Sequence, residues 1–240
     1  MLTAKPSMNA SAIKRAALAA LACTLLAMSI PHAVAQATQG TQGKLNVDDL
    51  KIRSDAGDRS ATRQLADAYY AGRDGVEQNF GEAVRWYEKL AKQGDARAQT
   101  TMGLMYSRGY GVKKDAQAAH RWWNFAAAQN DPGAQYNLGL SFANGDGVAQ
   151  DHERAVQWYT KAAGRGHVQA QHNLGMLYHE GKPARDPVRA YFWVKVAALQ
   201  GDDVAQDSLK IVRAGMSSAQ VTEAETQADE WMKKNKKMIK

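Results

Sequence analysis

Apolar residues recur along the chain in steps of three and four. Ala134, Leu138 and Phe142 form one stripe at i, i+4, i+8, and Trp158 with Ala162 begins another; this is the spacing of helices that bury one face. Asp131 then Pro132 stand at the head of the first stripe, where a carboxylate accepts from free backbone N–H groups and a proline loses no bond. Gly145 follows the last apolar residue and supplies the left-handed conformation that ends a helix. Asp151 heads the second stripe. The pattern predicts a helix, a loop and a second helix over residues 132–167.

The same unit returns. "AQHNLGMLYHEG" (170–181) matches "AQYNLGLSFANG" (134–145), "AQTTMGLMYSRG" (98–109) and, more distantly, "ATRQLADAYYAG" (61–72). Each is followed by a loop and a second shared phrase: "AVRWYEKLAKQGD", "AAHRWWNFAAAQND", "AVQWYTKAAGRGH" and "AYFWVKVAALQGD". The central copies are 36 residues apart; the first carries one extra loop residue and the fourth lacks one. Caps recur with the stripes. Asp95 aligns with Asp131; Asn79, Asp115 and Asp186 align with Asp151; Gly72, Gly109 and Gly181 align with Gly145. Asn79 has Glu82 three residues on, the spacing of a capping box.

A glycine also sits inside each first helix. Gly103, Gly139 and Gly175 align, with Ala66 in the first copy. Glycine costs about 1 kcal/mol against alanine in a helix interior. A column restricted to Gly and Ala therefore predicts that another helix backbone passes close by, with Trp86, Trp122, Trp158 and Trp193 of the second helices filling the space around the contact. "NLGMLYHEGK" (173–182) is not a phosphate-cradling loop. Five residues rather than four separate Gly175 from Gly181-Lys182, Pro183 follows where Ser or Thr is needed, and no strand leads in.

In "LGLSFANGDGVAQD" and "MGLMYSRGYGVKKD" the chain resembles the Sel1-like repeats, helix-hairpin relatives of the tetratricopeptide repeats. The longer Gly-x-Gly-Val loop separates the two families, a tetratricopeptide unit running about 34 residues. The sequence departs from the family phrase in two places: Ala66 and an extra loop residue in the first copy, and "GKPARD" in the fourth. The resemblance covers residues 56–202 as four units, 56–95, 96–131, 132–167 and 168–202. It implies an all-α fold, a right-handed superhelical solenoid of helix-turn-helix repeats with terminal capping helices, whose first helices line a concave surface. It also implies a protein-interaction scaffold, an adaptor or regulator, with membrane sensors and envelope assembly factors as partner types.

A solenoid needs elements that cover its end faces. Residues 36–55 are expected to be a polar, Gly-rich disordered lead and then a short helix over 45–55. Residues 203–235 read as two capping helices. The first has Lys210 and Arg213 where the repeat has glycine and tyrosine, and the second opens with Ser217 and Gln220 at capping-box spacing. Residues 236–240 complete a basic tail. Residues 1–35 carry Lys5, Lys14 and Arg15, an apolar run from Ala16 to Ile30, and Ala33-Val34-Ala35. This is the pattern of a secretory signal peptide cut between Ala35 and Gln36, giving a periplasmic or secreted protein. A retained anchor is the competing reading, though the run is short for a membrane span. Cys23, the only cysteine, lies in this segment. The mature chain then has no disulfide, no thiolate nucleophile and no Cys-based zinc site.

Charge follows the same division. The formal net charge is +7; without Lys5, Lys14 and Arg15 it is 28 basic against 24 acidic residues, and five of those lysines lie in "KKNKKMIK". The body is close to neutral, so no nucleic-acid-binding face is indicated. The lysine tail suits weak contact with anionic lipid or cell-wall polymer.

No reaction centre emerges. His172 and His179 share a helix face, but the His-Glu-x-x-His pattern of metalloproteases is absent. Ser-x-x-Lys occurs once, at Ser11 to Lys14 in the signal segment, and there is no Gly-x-Ser-x-Gly. No catalytic residue, metal ligand or cofactor is assigned. Partner contact is assigned to first-helix positions outside the apolar stripe: Arg63, Tyr70, Tyr136, Asn137, His172, Asn173 and His179, since aromatics and adaptable polar groups suit recognition. The competing reading is an envelope enzyme or glycan-binding protein acting on β-lactam or peptidoglycan.

Overall fold

A computed structural model describes residues 45–237; the signal-like segment, residues 36–44 and the last three residues lie outside it. The described residues form eleven helices and no strand. Four hairpins follow one another: α2 (Arg59–Ala71) with α3 (Phe80–Lys92), α4 (Ala96–Arg108) with α5 (Ala116–Ala128), α6 (Pro132–Asn144) with α7 (His152–Ala163), and α8 (Val168–Glu180) with α9 (Pro187–Leu199). α1 (Val47–Asp55) precedes them; α10 (Asp203–Arg213) and α11 (Ser218–Lys234) follow. Through the hairpins, each helix packs on its hairpin partner and on the next helix in sequence. The apolar core is accordingly a succession of clusters, as in a solenoid where each unit contacts only its neighbours. No described helix is long and apolar enough to cross a membrane.

The boundaries follow local chemistry. Asp95, Asp131 and Asp202 cap first-type helices by accepting from Ala98, Ala134 and Ala205 N–H at 2.9, 2.8 and 2.8 Å. Asn79, Asp115, Asp151 and Asp186 cap the second helices in the same way. Gly72, Gly109, Gly145 and Gly181 end the first helices in the left-handed region. At Asn79 only half of the capping box forms, because the Glu82 carboxylate accepts from Trp86 Nε1 at 3.1 Å instead. At Ser217 and Gln220 both halves form. The second glycine of the loop has its own task. A Cβ at Gly147 would stand 2.5 Å from the Ala116 carbonyl oxygen, so the Gly-x-Gly-Val loop lies directly on the head of the preceding unit's second helix.

The mid-helix glycines are close-contact positions, but their partners differ from the sequence expectation. A Cβ at Gly139 would lie 2.5 Å from Tyr159 ring carbons, and Gly103 stands against the Trp123 indole in the same way. A side chain rather than a backbone fills the gap. Only at Gly175, opposite the smaller Val194, does the backbone come near, with Ala190 O at 2.8 Å from the built Cβ. The residue facing the glycine is thus the one after each tryptophan, about 100° further round the helix. Trp122, Trp158 and Trp193 are half-buried one position earlier. They seal seams between units, against clusters built from the preceding second helix and their own first helix. Trp158 is therefore not the buried residue of α7; Ala155, Tyr159, Ala162 and Ala163 are.

The two ends are half-units. α1 ends in Gly57-Asp58, as α3 ends in Gly94-Asp95 and α9 in Gly201-Asp202. It packs on α2 as a second helix packs on the next first helix, but no first helix precedes it among the described residues, and Ile52 is 71% exposed. α10 sits on α8 and α9 like a fifth first helix. α11 does not close a hairpin with it; it returns to α9, where Val221 and Ala224 bury Tyr191 and the Tyr191 hydroxyl donates to Glu225 at 3.0 Å. Lys210, in the glycine column, is consequently exposed.

Candidate protein-interaction surface

The head of α2 faces a side chain from α1, and the head of each later first-type helix faces one from the first helix of the unit before it. Arg53 of α1 pairs with Asp58 at 2.6 Å. Arg63 of α2 forms an ion pair with Asp95, which Arg59 also approaches at 3.4 Å. Thr100 of α4 donates to Asp131 at 2.9 Å. Tyr136 of α6 stacks on His167 with ring centroids 4.5 Å apart and planes at 20°. His172 of α8 faces the Asp202 head electrostatically and shares a hydrogen bond with Ser208 of α10 at 3.0 Å. The column Arg63, Thr100, Tyr136, His172 is thus a row of staples between units. The sequence shows the column; that Arg63, Thr100 and Tyr136 each meet a cap about 31 residues on is a tertiary fact.

His167 departs from its column. Four first-type helices are capped by aspartate, whereas α8 is capped by the His167 ring, whose Nδ1 accepts from Ala170 N–H at 3.3 Å. Burial against Tyr136 holds its pKa down at about 4, partly countered by the Asp131 carboxylate. Burial likewise depresses His172 and His120 and raises Tyr136 and Tyr159.

A second row ties first helices both to the second helix before them and to the end of their own hairpin. Gln99 and Gln171 donate to the carbonyls of Ala91 and Ala163 at 3.1 Å and accept from Gln129 and Gln200 at 2.8 and 2.6 Å. In the third unit Arg165 stands in place of the donor glutamine, and the buried Gln135 Oε1 has no partner.

The residues assigned to partner contact are spread over different environments. Asn137 is buried, at 7% exposed, because the first helices of neighbouring units meet at α6–α8 and α8–α10. Tyr70 packs edge-on to Phe80 and Tyr87 at 5.6 and 6.1 Å. Asn173 Nδ2 reaches the Tyr159 hydroxyl at 3.4 Å. Arg63, Tyr136 and His172 are half-buried in the staples, and His179 is half-buried in the last turn of α8. They do not form one patch.

Another set recurs on the first helices, one residue after the mid-helix glycine column. Leu104, Leu140 and Met176 are half-buried at equivalent positions, and Ile211 continues the row at 55% exposed. Arg97, Gln169 and Val204 stand beside them, exposed. The sequence carried this signal as a recurrent apolar residue directly after the glycine, "GL", "GL", "GM" and "KI". Among the described residues no three His, Cys, Asp or Glu side chains converge as a metal site.

Successive hairpins, glycine-for-aromatic contacts and an apolar row along one side define a helical-repeat scaffold. The Sel1 repeat family matches at residues 59–95, 96–131, 132–167 and 168–202, without a gap and over more than half of the chain. The chain belongs to the Sel1 repeat family, whose members generally mediate protein–protein interaction and are typically non-catalytic. The crystal structure of c5321, a protective antigen present in uropathogenic Escherichia coli strains displaying an SLR fold, is similar with a TM-score of 0.73 and 32% identity, covering 78% of this chain and 40% of that one. A Sel1 repeat protein from Oxalobacter formigenes is similar with a TM-score of 0.61 and 31% identity, covering 72% and 71%. Protein sel-1 homolog 2 of Homo sapiens is 41% identical over 56 residues, which are 23% of this chain and 8% of that protein.

Proposed function

We propose that this chain is a non-enzymatic adaptor or regulator of the bacterial cell envelope that binds a protein partner along its first helices. The observation that carries the reading is the row Leu104, Leu140, Met176 and Ile211. Half-buried Leu104, Leu140 and Met176 and exposed Ile211 recur at equivalent positions beside exposed Arg97 and Gln169 and the apolar Val204, and an apolar centre with polar residues around it is the make-up of an interaction surface. The partner types suggested by the family are a membrane sensor or an envelope assembly factor. The envelope location is supported by the basic start, apolar run and Ala33-Val34-Ala35 of residues 1–35. The lysine-rich end, with Lys233, Lys234, Lys236 and Lys237 exposed, suits a weak second contact with anionic lipid or cell-wall polymer.

Cross-linking and co-purification from envelope extract, read by mass spectrometry, tests the first part. One protein should be recovered with the wild type and lost with Met176→Lys and Ile211→Asp, while Gln157→Glu on the exposed face of α7 retains it. Equal recovery with all variants refutes the assigned surface. N-terminal sequencing of the exported protein tests the location, with Gln36 as the expected first residue.

A further inference from the structure

The junction between the third and fourth units is built unlike the others. Aspartate at a helix head accepts from the free N–H groups and carries the negative charge that a helix N-terminus favours. His167 does the first task only while Nδ1 is unprotonated, and never does the second. Its ring is also the half of the staple that Tyr136 grips. Protonation would convert the acceptor into a donor aimed at the Ala170 N–H, and would place a positive charge at the positive end of the α8 dipole.

The surroundings offer little to stabilise that charge. At and on α6 the titratable groups facing the ring are Asp131 and Tyr136; Asp131 and a hydrogen bond to the residue's own backbone favour the cation, and burial outweighs both. On α7 the Tyr159 ring lies beyond Tyr136, 5.9 Å from it, and no α7 group shifts the titration of His167. The first turn of α8, Val168 to Gln171, carries no charge. Arg165 in the preceding turn is itself cationic.

We propose that this junction is a proton-sensitive joint: protonation of His167 uncaps α8 and loosens the stack between the third and fourth units, while the aspartate-capped heads stay closed. The row from Leu140 to Met176 crosses the same junction, so acidification alters the spacing of two of its members. That consequence for binding rests on the interaction reading; the joint itself does not, and its test needs no partner.

The sign is fixed by the depressed folded-state value. An unfolded histidine titrates near 6.5 and the folded one at about 4. The contribution of His167 is complete above about pH 6.5 and is lost as pH falls towards 4. Between those limits the local opening constant should rise about tenfold per pH unit. The test is amide hydrogen exchange on the intact mature chain, comparing opening constants at Ala170 and Gln171 from pH 7 to 4.5 in wild type and in His167→Asp. The expected result is a steep rise in wild type that is absent in His167→Asp, with Ala134 and Gln135 at the Asp131-capped head showing no such rise. NMR titration of wild-type His167 provides a check that needs no variant: a midpoint well below 6 with Nδ1 unprotonated at pH 7. An ordinary midpoint near 6.5, or the same pH profile at Ala170 and Ala134, overturns the proposal.

Discussion

Gly139→Leu is the sharpest test of how the hairpins close. A Cβ there would lie 2.5 Å from Tyr159 Cδ1 and Cε1 and 3.1 Å from Cγ. Carbon pairs sit comfortably at about 3.5–4.0 Å, so even one methyl group asks the ring to retreat by about 1 Å. The ring has little room. Tyr159 is 1% exposed, its hydroxyl is near Asn173 at 3.4 Å, and Tyr136 lies 5.9 Å away. For alanine the overlap is offset by about 1 kcal/mol of helix propensity, and Ala66 beside Tyr87 in the first unit shows that a hairpin can accept it. Gly139→Ala should therefore stay within about 1 kcal/mol of wild type. Leucine adds three further carbons to the same space, and overpacking of this kind costs about 1–3 kcal/mol. Urea unfolding by circular dichroism reads the change as a lower midpoint at unchanged slope. The double variant Gly139→Leu with Tyr159→Val copies the smaller partner of Gly175. It should lose less than the sum of its singles by about 1 kcal/mol or more. Two outcomes refute the reasoning: Gly139→Leu within about 0.5 kcal/mol of wild type, or additivity in the double variant.

Three other expectations follow from the contacts. Arg165→Gln supplies the donor missing beside Gln135 Oε1 and should stabilise by about 0.5–1.5 kcal/mol, seen as a rise in the urea midpoint. Asp95→Asn keeps the cap acceptor but removes the charge facing Arg63; it should cost about 1 kcal/mol in wild type and far less in Arg63→Gln, with the coupling falling as salt is added. Ending the chain after Ala214 removes the cover of Tyr191, so thermal melting should fall and hydrophobic-dye binding should rise; an unchanged melt would show that α11 adds nothing to the stack.

The hairpins and most of their caps were legible because they depend on residues three or four apart. Asp131 and Ala134, or Gly145 and its helix, meet within one turn. The aromatic facing the glycine was harder. Trp122-Trp123 and Trp158-Tyr159 are adjacent large rings, and periodicity does not separate neighbours when both are partly covered. α1 left a trace in Gly57-Asp58, which repeats the end of a second helix, although the rest of its phrase is altered. The burial of Asn137 and the return of α11 to α9 left no local mark, because both arise where helices distant in sequence meet. His167 was visible as a departure from aspartate, but its ring stack on Tyr136 required the two units to be placed together.

The staples also bear on how such a chain lengthens. Residues 59–95 contain both Arg63 and Asp95, 96–131 contain Thr100 and Asp131, and 132–167 contain Tyr136 and His167, whereas His172 of the last unit bonds to Ser208 beyond it. Each of the first three stretches therefore brings its own latch together with the catch that the latch engages. A tandem duplication in this frame inserts a ready-made connection, so the chain can grow or shrink by whole units in one genetic step, without a matching change in the flanking copies. The acid-responsive connection would travel with residues 132–167 to whatever place in the series they were copied.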